Sequence, residues 1–238
     1  MLLFSKGLRW VGGAAGFACA TTVVAAPLSL TASQGNLQAT VNFTDNGGDL
    51  LVTLTNSSAN DVLVPADILT AVFFDIAGLP TLTQVSATLH TGSTVLFGGS
   101  DPGGVVGGEW GYRGDLAGNP YGADYGIGAS GFSVFGPGDL FPGSNLQGPA
   151  SPDGLQYGIS STGDNPLTGN TPVTGTNALI QDSVVFRLGG LPSGFDPMRD
   201  VSNITFQYGT DLSEPHFPEP GSGLLLSAIA ILGLRRRS

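Results

Sequence analysis

Few residues in this 238-residue chain have the types and spacing that do chemistry. Gly126-Ile127-Gly128-Ala129-Ser130-Gly131 has the glycine spacing of a dinucleotide-binding loop. That loop needs a helix after it, whose N-terminus receives the pyrophosphate. Phe132-Ser133-Val134-Phe135-Gly136-Pro137 follows instead, a strand-like run and then a break, so the pattern is rejected. The two histidines, His90 and His216, read as surface residues, one at a strand end and one in a linker. A serine-histidine triad would have to use one of them, with no supporting motif. Glycoside hydrolysis by carboxylates needs two acids facing across a cleft. Glu109 is the candidate acid, and nothing in the sequence pairs it with an aspartate. Asp45, Asn46 and Asp49 carry oxygen ligands for calcium, but their order does not match an EF-hand loop. A hairpin turn accounts for them. Asn42, Asn56 and Asn203 stand in Asn-x-Ser/Thr sequons, which a Ser/Thr-rich surface produces by coincidence. The expectation is no catalytic residue, no metal site and no cofactor.

Aromatic chemistry is the remaining option. Trp110, Tyr112, Tyr121 and Tyr125 fall close together in a Gly-rich stretch. Such rings stack on the C–H faces of sugars, and Asp115 or Asp124 could accept hydroxyl hydrogen bonds. The competing reading is that the rings anchor the loop that carries them, and it is preferred.

Charge narrows the partners. The formal net charge is -10 at pH 7. Between Pro27 and Phe217 the only basic residues are Arg113, Arg187 and Arg199. An acidic surface of this kind argues against nucleic acid and anionic lipid.

The two ends carry a different signal. Lys6 and Arg9 precede an uncharged apolar stretch from Val11 to Ala26, which ends in the small residues Val24-Ala25-Ala26. This predicts a signal peptide over residues 1–26, carried through the Sec translocon and cut after Ala26. Cys19, the only cysteine, leaves with it, and the remaining chain has no thiol for disulfides or zinc. At the other end Pro218-Glu219-Pro220 is followed by an apolar run from Gly221 to Leu234 and then by Arg235, Arg236 and Arg237. The prolines oppose helix and sheet pairing, which predicts an extended, accessible triplet. The arginines resist crossing a bilayer and hold their end in the cytoplasm. A helix over the 14 residues from Gly221 to Leu234 is ~21 Å long, shorter than a hydrocarbon core of ~30 Å. Residues 218–238 are thus expected to form a transient inner-membrane anchor with a processing site just outside the bilayer.

Triplet, apolar run and basic end together resemble the PEP-CTERM sorting signal of exopolysaccharide-producing Gram-negative bacteria. The resemblance implies processing by exosortase, a membrane-embedded cysteine transpeptidase, and passage to the cell surface. Glu219 with its flanking prolines matches the family triplet, and Arg235 to Arg237 match its basic end. Further phrases resemble exosortase-dependent surface proteins. They are Glu109-Trp110-Gly111-Tyr112-Arg113, Phe135-Gly136-Pro137-Gly138-Asp139, Pro152-Asp153-Gly154-Leu155-Gln156-Tyr157-Gly158-Ile159 and Phe206-Gln207-Tyr208-Gly209-Thr210. This implies a surface location and adds no catalytic residue. The function expected is a non-enzymatic surface or extracellular-matrix protein, with exopolysaccharide a candidate partner. The alternatives are a carbohydrate-binding module or a carboxylate-based glycoside hydrolase.

The elements that must position these residues are strands. Leu37, Ala39, Val41 and Phe43 alternate with polar residues, as do Leu50, Val52 and Leu54, with Asp45 to Asp49 as turn chemistry between them. This predicts a hairpin. Val62 to Val64 reads as a short strand, and the apolar run from Ile68 to Ile76 as a buried central one. Further strands are expected at Val85 to Leu89, Val95 with Phe97, Val184 to Leu188 and Ile204 to Tyr208. Residues 98–175 are rich in Gly and Pro yet threaded with rings, which disordered segments lack. They are expected to form a loop-rich insertion packed on the core through its aromatics, with short strands near Phe132 to Phe135 and Gln156 to Ile159. The predicted fold is all-β: an antiparallel β-sandwich over residues 27–217, flanked by a signal helix and a membrane helix.

Overall fold

A computed structural model of the chain describes residues 25–116, 118, 120–135, 145–147, 154–168 and 177–219. The segments expected as signal helix and membrane helix, and Arg235 to Arg237 with them, lie outside these residues. Among the described residues no helix is long and apolar enough to cross a membrane.

The fold is all-β. In chain order the strands are β1 (Leu28–Gln34), β2 (Leu37–Asp45), β3 (Asp49–Asn56), β4 (Leu69–Ile76), β5 (Thr83–Leu89), β6 (Thr94–Leu96) and β7 (Gly111–Gly114). Then follow β8 (Tyr125–Gly128), β9 (Ile159–Ser160), β10 (Leu179–Gln181), β11 (Ser183–Gly189), β12 (Val201–Tyr208) and β13 (His216–Pro218). One short helix, α1 (Pro197–Asp200), is capped by the Asp196 carboxylate, which accepts from the Met198 amide. The first sheet runs β1-β2-β3-β11-β5, and the second runs β13-β12-β4-β9-β10-β6. Strand β8 also pairs with β4, and β7 pairs with β8.

The expected hairpin is β2-β3, in register from Ala39 opposite Asn56 to Asp45 opposite Leu50. Its turn is closed by the Gly48 amide donating to Asp45 Oδ1 at 3.0 Å, and Gly47 and Gly48 take positive φ. Alternation then dictates the core. Val41, Phe43, Leu50, Val52, Leu54, Val184, Phe186 and Leu188 face inward from the first sheet. They share one buried cluster with Val72, Phe74, Ile76, Ile127, Ile204, Phe206 and Tyr208 of the second. Phe43 and Phe74 meet edge to face across the gap with ring centroids 5.1 Å apart.

Strand β4 reads as a continuous apolar run because both its faces are covered. Val72 and Phe74 enter the shared core. Ala71 and Phe73 face the other way, into a second cluster with Leu116, Ala123, Phe132, Val134 and Phe135. Phe73 is the hub, with Tyr121, Phe132 and Phe135 at 5.6, 6.1 and 6.2 Å. The glycine spacing of residues 126–131 belongs to this packing. A Cβ on Gly126 would lie 2.9 Å from Phe73 and 3.0 Å from Phe135. Gly126 and Gly128 are bare because rings lie on them.

Several expectations are corrected. Residues 62–64 form no strand: the chain turns at Pro65–Asp67, and the Asp67 carboxylate accepts from the Leu63 and Val64 amides at 2.9 and 3.1 Å. Strand β6 ends at Leu96, because Phe97 takes a φ of 58°. Phe132 and Ser133 take φ of 49° and 61°, so Phe132 to Phe135 is a turn that wedges its rings onto β4. Strand structure near Gln156 is confined to Ile159 and Ser160, after Tyr157 at a φ of 56°. The sheets are not wholly antiparallel, since β9 and β10 run parallel. A long connection lets the chain return in the same direction. The stretch expected as an insertion lying on the core supplies β7, β8 and β9 to the second sheet.

Candidate functional site

The aromatic set comes first, because it was the candidate sugar platform. Trp110 is fully buried, with its ring 4.9 Å from Phe186 of the first sheet. Tyr112 and Tyr125 are 3 % exposed. Tyr125 stacks on Phe74 at 5.7 Å and donates from its hydroxyl to the Pro80 carbonyl at 2.8 Å. These three rings are core residues between the sheets, and no face of them is open to a sugar. They pack as anchors of the segment that carries them, the reading preferred over a sugar platform. Tyr121 alone is half-buried. It lies at a φ of 58°, the single proton of its hydroxyl is shared between Gln207 Oε1 and the Leu212 carbonyl, and its ring stacks on His216 at 4.3 Å.

Several carboxylates are hydrogen-bonded to backbone amides or to neighbouring side chains. A cleft of about 310 Å³ is lined by Asn36, Ser58, Asn60, Asp61, Asp67 and Ser161, among others, and Glu109 is not part of it. Asp61 accepts from the Asn165 amide at 2.9 Å and from Thr168 Oγ1 at 2.8 Å. These bonds, the amide first, hold its carboxyl below the usual carboxylate range. Asp67 is held by the two amides already named, and Ser58 Oγ donates to the Asn36 carbonyl at 2.5 Å. Asp49 pairs with Arg187, and Asp45 closes the hairpin turn. Among the described residues no group of three or more His, Cys, Asp or Glu side chains could hold a metal ion.

Asn56, the middle sequon residue, is fully buried. Its Nδ2 donates to the Asp67 and Ile159 carbonyls at 3.1 and 3.0 Å. Its Oδ1 accepts from the Tyr208 hydroxyl at 3.2 Å. It is a polar rivet between the sheets, closed to any glycan.

The C-terminal triplet holds the unexpected geometry. His216 is not in a linker and Pro218 is not free, because both belong to β13. His216, Phe217 and Pro218 pair with Gln207, Phe206 and Thr205. This is an edge position, where a proline is tolerated. Phe217 is 5 % exposed, with Phe206 and Tyr208 at 5.7 and 5.6 Å. The pairing continues past the strand: the Glu219 amide donates to the Ile204 carbonyl at 2.7 Å. The Glu219 carboxylate accepts from the Asn203 amide at 3.2 Å. Asn203 is offered by a bulge in β12 between Ser202 and Thr205, at a φ of 52°, and its Nδ2 donates to Asp75 Oδ2 at 3.1 Å. Pro220 lies outside the described residues.

The two ends of the folded body lie near each other. Strand β1 touches β13. Leu28 is opposite Phe43, Phe43 meets Phe74, and the neighbouring Phe73 is level with Thr205 and so with Pro218. Ala26 is exposed, just ahead of β1. No protein-family model, no curated protein and no solved structure matches the chain.

Proposed function

We propose that this chain is an exported, non-enzymatic surface or matrix protein that a membrane-bound processing enzyme of the exosortase type cuts at Pro218-Glu219-Pro220. The two sheets are a β-sandwich of the surface-domain kind, and the terminal segments serve transport alone. One observation carries the reading: a proline-flanked acid, an uncharged apolar run and an arginine cluster follow one another at the C-terminus. The folded body supports it, because the last strand ends within the triplet and leaves no further domain between body and tail. Both membrane-directed segments join the body at one end, so each can be inserted while the strands fold outside the bilayer.

The burial of Trp110, Tyr112 and Tyr125 removes the sugar-stacking surface that favoured a carbohydrate-binding module. The cleft carboxylates Asp61 and Asp67 accept from backbone amides, which supports a structural role for them. Cell fractionation tests the proposal. In cells without the processing enzyme the chain is expected in the inner membrane, and with it at the surface or in the medium. The same distribution in both strains would contradict it.

A further inference from the structure

We propose that β13 is a latch: Pro218 and Glu219 are held on the edge of the second sheet, and the processing enzyme acts only on molecules in which β13 has come away. The inference rests on the reading of the triplet as a processing signal.

A peptide is cut in extended form, with its own backbone groups available to the enzyme. Here those groups are already in use. Phe217 is paired with Phe206, and the Glu219 amide is spent on the Ile204 carbonyl. The acid of the triplet, the group a basic pocket would read, is seated on the Asn203 amide. Two side chains add to the hold. Phe217 is sunk against Phe206 and Tyr208, and the His216 ring lies on Tyr121. The seat is specific: the bulge at Asn203 turns its amide out of the β12-β4 ladder, toward Glu219.

Reach makes the conflict sharper. Only Gly221, Ser222 and Gly223 separate Pro220 from Leu224 in the sequence. The four steps from Pro220 to Leu224 span at most ~14 Å. With the apolar run in the bilayer, the folded body therefore sits on the membrane surface. Pro218 and Glu219 cannot stay on β12 and also enter an active site at the membrane. Local opening of an edge strand is among the low-cost motions of a sheet protein. Opening β13 frees the triplet and lengthens the tether by the residues it releases, while β12 stays paired to β4.

The test uses the full chain in cells that contain the processing enzyme, followed by pulse-chase. Gln207 and His216 face each other on β12 and β13, outside the triplet. The double variant Gln207→Cys/His216→Cys locks the latch by a disulfide, which an exported compartment permits. It is expected to be processed at least ~10-fold more slowly than wild type and to recover on adding a permeant reductant. Phe217→Ala loosens the latch and is expected to be processed several-fold faster. Wild-type rates in the oxidised double variant or in Phe217→Ala would overturn the latch while leaving the processing signal standing. Absence of processing in wild type itself would overturn both, which separates the two failures.

Discussion

The His216 ring lies on the Tyr121 ring with centroids 4.3 Å apart and planes 26° from parallel. This contact joins the aromatic segment, through the residue that also reaches Phe73, to the strand that leads into Pro218-Glu219. Tyr121 holds β12 as well, through Gln207. Tyr121→Ala is expected to lower unfolding free energy by about 2–3 kcal/mol, from lost ring packing and the lost shared hydrogen bond of its hydroxyl. Tyr121→Phe keeps the stack and is expected to cost about 1 kcal/mol. Urea titration of both variants checks this. Equal losses would mean that the stack contributes nothing.

Every tyrosine of the chain resists ionisation. There are five: Tyr112, Tyr121, Tyr125, Tyr157 and Tyr208. Burial is the first cause in each case, with Tyr121 and Tyr125 pushed up to about 12 and Tyr112, Tyr157 and Tyr208 also raised. The folded state then binds more protons than the unfolded state above the ordinary tyrosine range. Stability is fully present below about pH 10 and falls as pH rises toward 12. Tyrosinate absorbance is expected to stay low past about pH 10, the ordinary tyrosine value, and then rise in one step with loss of the fold. A smooth titration centred near pH 10 with the sheets intact would contradict the packing described.

Asn56 ties β3 to β9, to the turn at Asp67 and to Tyr208. Asn56→Ala strands the Ile159 carbonyl in the core and removes a partner of the Tyr208 hydroxyl. The expected loss is about 2–4 kcal/mol by denaturant unfolding. Peptide mass spectrometry is expected to find Asn56 unmodified even in a host that glycosylates sequons, and a glycan there in folded protein would refute its burial.

Gly126 is bare so that Phe73 and Phe135 can close over β8. Gly126→Ala is expected to cost about 1–3 kcal/mol by overpacking. With Phe135→Ala in the same chain the cost of the added methyl is expected to shrink in part, since one clash partner is gone while Phe73 remains. A double-mutant cycle measures the coupling, and strict additivity would speak against the contact.

The regular part of the fold was legible because its side chains alternate. In β2, β3, β11 and β12 one face is apolar and the other polar, and the run in β4 marked a strand covered on both sides. Strand β1 carries the same alternation in Leu28, Leu30 and Ala32. The aromatic segment was opaque for a physical reason. Gly126 and Gly128 leave no side chains to alternate, so β8 does not look like a strand. A ring in a Gly-rich stretch also looks the same in sequence whether it enters a core or meets a ligand. Strand β13 is three residues long and ends on proline. Propensity argues against it, and Phe217 with the neighbouring edge of β12 overrides that. The order of triplet, apolar run and arginines needs no folding to be read, whereas the docking of Glu219 on Asn203 could come only from the tertiary structure.

The most direct measurement is the intact mass of the protein recovered from cell surface and medium, in strains with and without the processing enzyme. The account predicts a chain that begins at Pro27 and ends near Pro218 to Pro220 or carries an added group there, and only when the enzyme is present. A surface protein that keeps Arg235 to Arg237 would contradict it, and the tail would then be an anchor and nothing more.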